Sequence, residues 1–168
     1  MGHMVAKDVY ASLGEKIDSL TVRTPQTETF HAMLRELYSP EEAELIVRMP
    51  FSLSTLDRIA QVTGRDRKEI EPVLTGLCEK GLVVDLLIGD SYRYMPAPFV
   101  IGIFEFTMMR MSSSDPDIGK LSKLFSDYFH EGDFYAANCR DGQQVTVARA
   151  LPHLDDLGDH VEILDYEK

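Results

Sequence analysis

Three basic side chains, Arg65, Arg67 and Lys68, form the densest group in this chain that could bind a ligand through charge. They fall at the start of a segment with helical spacing, and the N-terminal residues of a recognition helix are those that contact DNA bases. Arg93 lies in a segment predicted to be a hairpin, from which it could reach a phosphate. These four residues are therefore the candidate DNA contacts.

The charge around these candidates argues against a dedicated DNA reader. Residues 54–95 contain six basic and seven acidic residues, a net charge of −1. Glu69 and Glu71 would lie close to any phosphate that Arg67 or Lys68 approached. Because a DNA-binding surface normally carries a basic stripe, solvated charges on an exposed helix are the favoured interpretation, and DNA binding is the alternative.

The acidic segment 153–160 is the other place where chemistry could occur. It combines His153 and His160 with three aspartates, side chains that can bind zinc or iron. Its composition and its central glycine favour a solvated loop instead. The sequence contains no serine elbow, glycine-rich phosphate loop or zinc-helix signature. We therefore predict no catalytic residue, no metal ligand and no cofactor in this chain, and we do not expect an enzyme.

The two cysteines, Cys78 and Cys139, are far apart and form no CxxC pair. Cys78 falls on the apolar face of a predicted helix, where a thiol behaves as a small hydrophobic group. Cys139 lies beside Arg140, and a basic neighbour can lower the pKa of a thiol. One such neighbour is weak evidence for reactivity, so neither cysteine is predicted to act chemically.

Residues 54–95 have the order of elements of a winged helix–turn–helix. Ser54 and Asp57 form an N-cap pattern for a first short helix. A second helix, capped by Asp66, carries one continuous apolar stripe and stops at Gly81. Two segments rich in strand formers follow, 82–88 and 91–95, and the Gly89-Asp90 pair between them favours a two-residue hairpin turn.

Helices are predicted on both sides of this unit. Apolar spacing predicts helices over 8–20 and 27–37. A third begins at Ser39, where Pro40 and Glu42 complete a capping box. After the hairpin, 99–111 is apolar all round and is predicted to be one helix, which must be buried either in the core or against a partner. The four candidate interface residues are Phe99, Ile103, Phe106 and Met109.

The remainder of the chain is predicted to be less regular. A helix restarts at Asp115 and ends near Gly132, and strands are plausible at 144–151 and 161–164. The fold class is thus mainly α with a small β component, built on a winged helix–turn–helix core with additional helices. Residues 1–3 are an expected expression remnant, 4–130 a helical domain, and 131–168 an acidic segment leading toward a further C-terminal domain.

Composition sets wider limits on the function. The chain has 168 residues, 44% of them hydrophobic and 27% charged, which is ordinary for a globular protein. Its net charge of −11 disfavours contact with anionic membranes and with nucleic acid. No apolar run reaches the roughly 18 residues that a membrane helix needs. We therefore expect a cytoplasmic protein with no membrane partner.

Four stretches of the chain carry a resemblance to a known family. They are 39–45 (SPEEAEL), 79–83 (EKGLV), 95–105 (MPAPFVIGIFE) and 161–167 (VEILDYE). Together they resemble the N-terminal winged-helix region of ferredoxin-type 4Fe–4S iron–sulfur proteins of anaerobic prokaryotes. The resemblance implies a 4Fe–4S cluster in the full-length protein. The CxxCxxC run that would hold it is absent here, so no residue is assigned as a cluster ligand.

The leading hypothesis is a non-catalytic interaction or regulatory module of an iron–sulfur electron-transfer protein. Such a module would dock a protein partner or associate with itself, for example as a dimer. The alternative is a winged-helix transcriptional regulator that binds DNA and senses redox state. Salt-dependent binding to duplex DNA separates the two, since only a DNA reader depends on Arg67 and Lys68.

Overall fold

The computed structural model describes residues 8–110 and 118–139, and these form a mainly helical protein with a small antiparallel sheet. The predicted fold class, mainly α with a small β component, is confirmed. The predicted strands at 144–151 and 161–164 and the histidine-containing segment 153–160 lie outside the described residues. The elements are α1 (Val9–Asp18), α2 (Glu28–Leu37), α3 (Pro40–Arg48), β1 (Ser54–Thr55), α4 (Leu56–Thr63), α5 (Arg67–Lys80), β2 (Val83–Ile88), β3 (Ser91–Pro96), α6 (Glu105–Arg110), α7 (Ile118–His130) and α8 (Asp133–Asn138).

The three N-terminal helices form where the apolar spacing predicts them, and their N-caps are local. The predicted capping box of α3 is present: Ser39 Oγ accepts from the Glu42 amide at 3.2 Å, and Glu42 Oε2 accepts from the Ser39 amide at 2.8 Å. Pro40 occupies the first helical position, where a missing amide hydrogen leaves no helical bond unmade. The side chains of Asp8 and Thr27 cap α1 and α2 by accepting from the Tyr10 and Phe30 amides.

Helices α4 and α5 also begin and end at local signals, with one shift of position. Thr55 rather than Ser54 caps α4, because α4 begins at Leu56 and the Thr55 hydroxyl accepts from the Arg58 amide. Asp66 caps α5 as predicted, and α5 continues through Pro72 without a break. Gly81 ends α5 in a left-handed conformation with φ 78°, and the Leu82 amide then donates to the Leu77 carbonyl at 2.9 Å.

The three strands are ordered β1-β3-β2. Strands β2 and β3 pair from Val83 with Pro96 to Ile88 with Ser91, which leaves Gly89-Asp90 as the predicted two-residue turn. Strand β1 pairs with the middle of β3. Successive side chains of a strand point to opposite faces. One face of the hairpin therefore carries Asp85, Leu87, Tyr92 and Tyr94, and the other carries Leu86, Ile88 and Arg93.

Among the described residues, no strand lies beside the outer edge of β2. Alternate residues of β2 direct their backbone groups toward β3, as shown by the bond from the Ala97 amide to the Leu82 carbonyl just beyond the strand. The backbone groups of Val83, Asp85 and Leu87 therefore point outward. Among residues 8–110 and 118–139, none donates to or accepts from this edge through its backbone.

The apolar segment after the hairpin is not one helix, contrary to the prediction for 99–111. Residues Phe99–Phe104 form a wide helical turn that is interrupted by non-helical backbone angles at Ile101 and Gly102, and α6 begins only at Glu105. A β-carbon on Gly102 would lie 3.1 Å from Pro98 Cδ and 3.3 Å from Ala97 Cβ. The chain thus packs tightly against itself at this break, and hydrophobic periodicity did not reveal it because every face of the segment is apolar.

A cluster of aromatic side chains joins α2, the Phe99 turn, α7 and α8. The Phe30 and Tyr128 rings stack at 5.3 Å, and Phe99 meets both of them edge-on at 5.6 and 5.4 Å. Phe134 of α8 is buried against Phe99 and Phe129. Helix α8 therefore packs into the same core as the helices before it, across the domain boundary predicted at residue 130.

The helices are all short. In the part of the chain that the structure describes, none is long and apolar enough to cross a membrane. The longest, α5, has 14 residues and carries charged side chains along its length.

Candidate functional site

Two of the four candidate DNA contacts are held in ion pairs within the protein. The Arg65 guanidinium lies 2.5 Å from a carboxylate oxygen of Glu41 at the start of α3. The Arg67 guanidinium lies 2.9 Å from a carboxylate oxygen of Asp57 in the first turn of α4. Each pair places a carboxylate beside the base, so neither arginine presents an isolated positive charge to a phosphate.

The other two candidates point elsewhere. Lys68 is exposed in the first turn of α5. Arg93 lies on the hairpin face opposite Tyr92 and Tyr94, is half-buried, and its Nε atom has no hydrogen-bond partner among the described residues. The structure therefore does not bring the four bases together on one surface.

A groove runs between α5 and the β2–β3 hairpin, on the face that carries the tyrosines. It consists of two adjoining cavities of about 260 and 210 Å³, and Tyr92 and Tyr94 line both of them. We call it the tyrosine groove. The remaining residues that line the larger cavity are Thr55, Leu56, Asp57, Arg67, Glu71, Asp90 and Ser91, and those that line the smaller one are Thr75, Cys78 and Asp85.

The tyrosine groove is acidic. Its lining includes the carboxylates of Asp57, Glu71, Asp85 and Asp90 and a single base, Arg67, which is paired with Asp57. Among the described residues, Glu71, Asp85 and Asp90 make no ion pair within 4.0 Å. The groove thus holds negative charge that the side chains of residues 8–110 and 118–139 do not neutralise.

Tyr94 lines this groove, and its pKa is raised there. Burial raises the pKa of the Tyr94 phenol, and the nearby acidic groups of Cys78, Glu71 and Asp85 raise it further. Like charges repel, so the carboxylates of Glu71 and Asp85 beside Tyr94 would also oppose a phosphate placed there. Tyr94 also pairs directly with Asp85 across the hairpin, and both side chains line the smaller cavity.

The end of the hairpin is apolar and exposed. Leu87 and Tyr92, which pair directly across the hairpin on the groove face, are 62% and 53% exposed. Leu86 and Ile88 are exposed on the opposite face. Contiguous exposed apolar side chains rimmed by polar groups are typical of surfaces that contact other proteins.

The four candidate interface residues divide between core and surface. Phe99 and Ile103 are 0% exposed in the aromatic core, so in this structure they are not accessible to a partner. Phe106 is half-buried against Gly81 at the end of α5. Only Met109, 79% exposed on α6, presents its side chain to solvent. The four residues therefore do not form one continuous surface.

The tyrosine groove was not predicted from the sequence, although some of the residue spacings that form it can be read there. Arg67 and Glu71 are four residues apart and so share a helix face, and the Gly89-Asp90 turn sets Asp85 opposite Tyr94. What the sequence does not contain is the packing of α5 over that face of the hairpin. The pairing of Arg65 with Glu41 is equally invisible, because it depends on how α3 packs near the turn between α4 and α5.

The histidines of the described residues make local contacts. His130 Nδ1 lies 2.7 Å from the Ser126 carbonyl, and His31 Nε2 lies 3.1 Å from Gln26 Oε1. Within 8–110 and 118–139, no group of three or more His, Cys, Asp or Glu side chains is placed to hold a metal ion. A 4Fe–4S cluster is normally held by four cysteine thiolates, whereas the chain has two cysteines, so the residues present do not fit one.

Comparison of the chain with protein families, with curated proteins and with solved structures gives no match. The resemblance to ferredoxin-type iron–sulfur proteins therefore stays a prediction from the four stretches that carry it.

Proposed function

We propose that α3 through β3 form a winged helix and that it acts as a non-catalytic protein-interaction module. The order of elements, helix–strand–helix–helix–strand–strand, and the strand order β1-β3-β2 support the winged-helix assignment. In this reading α4 and α5 are the helix–turn–helix, with α5 in the position of the recognition helix, and the β2–β3 hairpin is the wing.

The charge of the tyrosine groove carries the second half of the proposal. In a winged helix that binds DNA, the recognition helix and the wing both face the duplex, so phosphates lie close to the space between them. In this protein that space is lined by Asp57, Glu71, Asp85 and Asp90. Protein–DNA affinity comes largely from cationic contacts to phosphate, and these carboxylates would oppose it. A protein partner has no such requirement.

The alternative, a DNA-binding regulator, is favoured by the element order and by the exposure of Lys68. Fold alone does not establish function, and the pairing of Arg65 and Arg67 with carboxylates weighs against it. The further proposal that the module serves an iron–sulfur protein rests on the resemblance of residues 95–105. A CxxCxxC run in the gene after the codon for Lys168 would support that context, and a stop codon there would contradict it.

Duplex DNA titration tests the main proposal. Fluorescence anisotropy with a labelled duplex at low salt is expected to show no salt-dependent binding by the protein. A charge-reversal variant, Glu71→Lys with Asp90→Lys, is expected to gain salt-dependent DNA binding, because it would place two cations between recognition helix and wing. The matched control, Glu28→Lys with Glu44→Lys, makes the same charge change on α2 and α3.

Two results would contradict the proposal. If the unaltered protein binds DNA at low salt and Arg67→Ala and Lys68→Ala each weaken it, the chain is a DNA reader. If the groove and control reversals gain equal affinity, the gain reflects net charge alone, and α5 with the hairpin does not form a duplex-facing surface.

A further inference from the structure

We propose that the tyrosine groove binds a cationic segment of a protein partner, in which arginine or lysine side chains enter the groove and a neighbouring apolar residue packs on the hairpin. This inference rests on the proposed function and names the chemistry of the partner. It follows from three features of the groove: its two aromatic rings, its unneutralised carboxylates and its apolar outer rim.

The two tyrosines stand side by side across the groove. Tyr92 and Tyr94 are alternate residues of β3 and so point to the same face of the hairpin, toward α5. Each lines both cavities, and α5 supplies the facing wall through Glu71, Thr75 and Cys78. The groove is therefore a trough between a helix and a sheet, with a cavity on each side of the tyrosine pair.

Carboxylates are present in both cavities. Glu71 and Asp90 line the larger one and Asp85 lines the smaller one. The single base of the groove, Arg67, is 2.9 Å from Asp57 and is already paired. The pKa of the Tyr94 phenol is raised first by burial and then by the nearby acidic groups, Glu71 and Asp85 among them. The charge of the groove is thus complementary to a positively charged ligand with a cation for each cavity.

The aromatic rings narrow the choice of cation. Arginine and lysine side chains are attracted to the faces of tyrosine rings and donate to carboxylates at the same time. A guanidinium group placed beside Tyr94 could therefore contact a phenol ring and the Asp85 carboxylate together.

The apolar rim distinguishes a peptide from a free polyamine or a metal ion. Leu87 and Tyr92 are more than half exposed beside the groove and belong to the same hairpin face as Tyr94. Burial of these side chains would stabilise a complex only if the ligand carries an apolar group next to its charge. A protein segment that alternates basic and apolar residues has this composition.

The test uses a synthetic peptide with that pattern, N-acetyl-Leu-Arg-Leu-Arg-amide, titrated into the isotope-labelled full chain and followed by amide chemical shifts in NMR. Shift changes are expected to concentrate in α5 and the β2–β3 hairpin. A second peptide with citrulline in place of each arginine has nearly the same shape without the charge. It is expected to produce no saturable shift in these elements.

A pair of matched variants locates the binding. Glu71→Gln with Asp85→Asn removes two charges from the groove, and loss of two exposed ion pairs is expected to weaken peptide binding roughly fivefold to tenfold. The control, Glu69→Gln with Glu28→Gln, removes two exposed acids outside the groove and is expected to leave the affinity unchanged. All four substitutions are at exposed helix or strand positions, and circular dichroism verifies that both variants fold.

The outcomes separate this inference from the proposed function. If both double variants weaken binding equally, or if the citrulline peptide binds as tightly, the groove does not recognise cations and the inference is wrong. If neither the peptide nor DNA binds, the inference also falls, but a protein-interaction role through another surface stands. If duplex DNA occupies the groove in a salt-dependent way, the proposed function itself is overturned.

Discussion

At the scale of single residues, Lys16 is the most constrained charged group of the N-terminal helices. It is buried, and its Nζ atom donates to the Val47 carbonyl at 3.0 Å and to the Met49 carbonyl. The ammonium also lies 4.4 Å from the centre of the Phe51 ring. These carbonyls end α3, where a positive charge is favourable. Burial nevertheless lowers the pKa of Lys16 from 10.5 to about 8.

This lowered pKa predicts how stability varies with pH. Between about pH 8 and 10.5, folded Lys16 releases its proton while the unfolded chain keeps it, so the free energy of unfolding should rise with pH. The contribution of this one group is at most on the order of 3 kcal/mol. Urea denaturation of the protein and of Lys16→Met across this range checks it, since the difference between the two isolates Lys16.

Lys16→Met is its own control for the other groups that titrate in alkali. The curve of the variant should lack the rise that the native protein shows between pH 8 and 10.5. Equal slopes for the two proteins would mean that Lys16 has the same pKa when folded and unfolded. The role of Lys16 was not predictable from the sequence, because the carbonyls that it meets are more than thirty residues away.

At the scale of elements, the end of α5 packs closely against α6. Gly81 is left-handed, with φ 78°, and a β-carbon there would clash with Phe106 Cβ. Gly64 ends α4 in a similar conformation, with φ 69°, but nothing lies within 4 Å of the position its β-carbon would take. A side chain at Gly64 would therefore meet backbone strain alone, whereas one at Gly81 would meet both strain and crowding.

Substitution of each glycine by alanine should show this difference. Gly64→Ala is expected to lower the free energy of unfolding by about 1 kcal/mol, the penalty for a left-handed alanine. Gly81→Ala adds the displacement of α6 and should lower it by about 2–4 kcal/mol. Urea denaturation measures both changes. Similar losses would indicate that α6 moves aside freely and does not fix the end of α5.

Element boundaries were predictable wherever the signal was local. The capping box at Ser39 and Glu42, the glycine that ends α5 and the Gly89-Asp90 turn were all confirmed, since each depends on residues a few positions apart. Strand β1 and the break at Ile101 and Gly102 were not predicted. A strand of two residues exists only because β3 lies beside it, and a uniformly apolar segment contains no periodicity from which to place a break.

At the scale of the whole molecule, the aromatic cluster connects helix α2 to helices α7 and α8. Phe99 is at its centre, in ring contact with Phe30, Phe125, Tyr128 and Phe134. Outside the rings, Tyr128 Oη donates to the Pro25 carbonyl at 3.2 Å, and the Arg23 amide donates to Asn138 Oδ1 at 2.9 Å. Buried side chains of α2, α3, α4, α5, α7 and α8 belong to one hydrophobic core.

Phe99→Ala should destabilise the entire described structure. Removal of a buried phenylalanine of this kind costs about 3–5 kcal/mol, and a shared core predicts that one cooperative transition shifts as a unit. Tyr135→Ala is the matched control: Tyr135 contacts the same cluster but is 50% exposed, so about 1 kcal/mol is expected. Helical circular dichroism and tyrosine fluorescence monitor the transition. Two separate transitions in Phe99→Ala would contradict a shared core.

The charge composition of the candidate site was predictable from the sequence, but the spatial arrangement of its side chains was not. The near-neutral charge of residues 54–95 already disfavoured DNA, and the structure adds that Arg65 and Arg67 are each paired with a carboxylate. The tyrosine groove itself depends on α5 packing over one face of the hairpin, a contact between segments that no spacing rule describes. Phe99 and Ile103 were predicted as interface residues because their segment is strongly apolar. The same property explains why both are buried in the core.

The edge of β2 that no described strand covers limits the number of sheet copies that could pair with one another. A second chain could add to it only along the outward backbone groups of Val83, Asp85 and Leu87, and two such edges would pair about a two-fold axis. The opposite edge strand, β1, has two residues and is too short to template another chain. Among the described residues, β2 has the one free sheet edge long enough to pair, so sheet extension through it would close after one pairing event and give a symmetric pair.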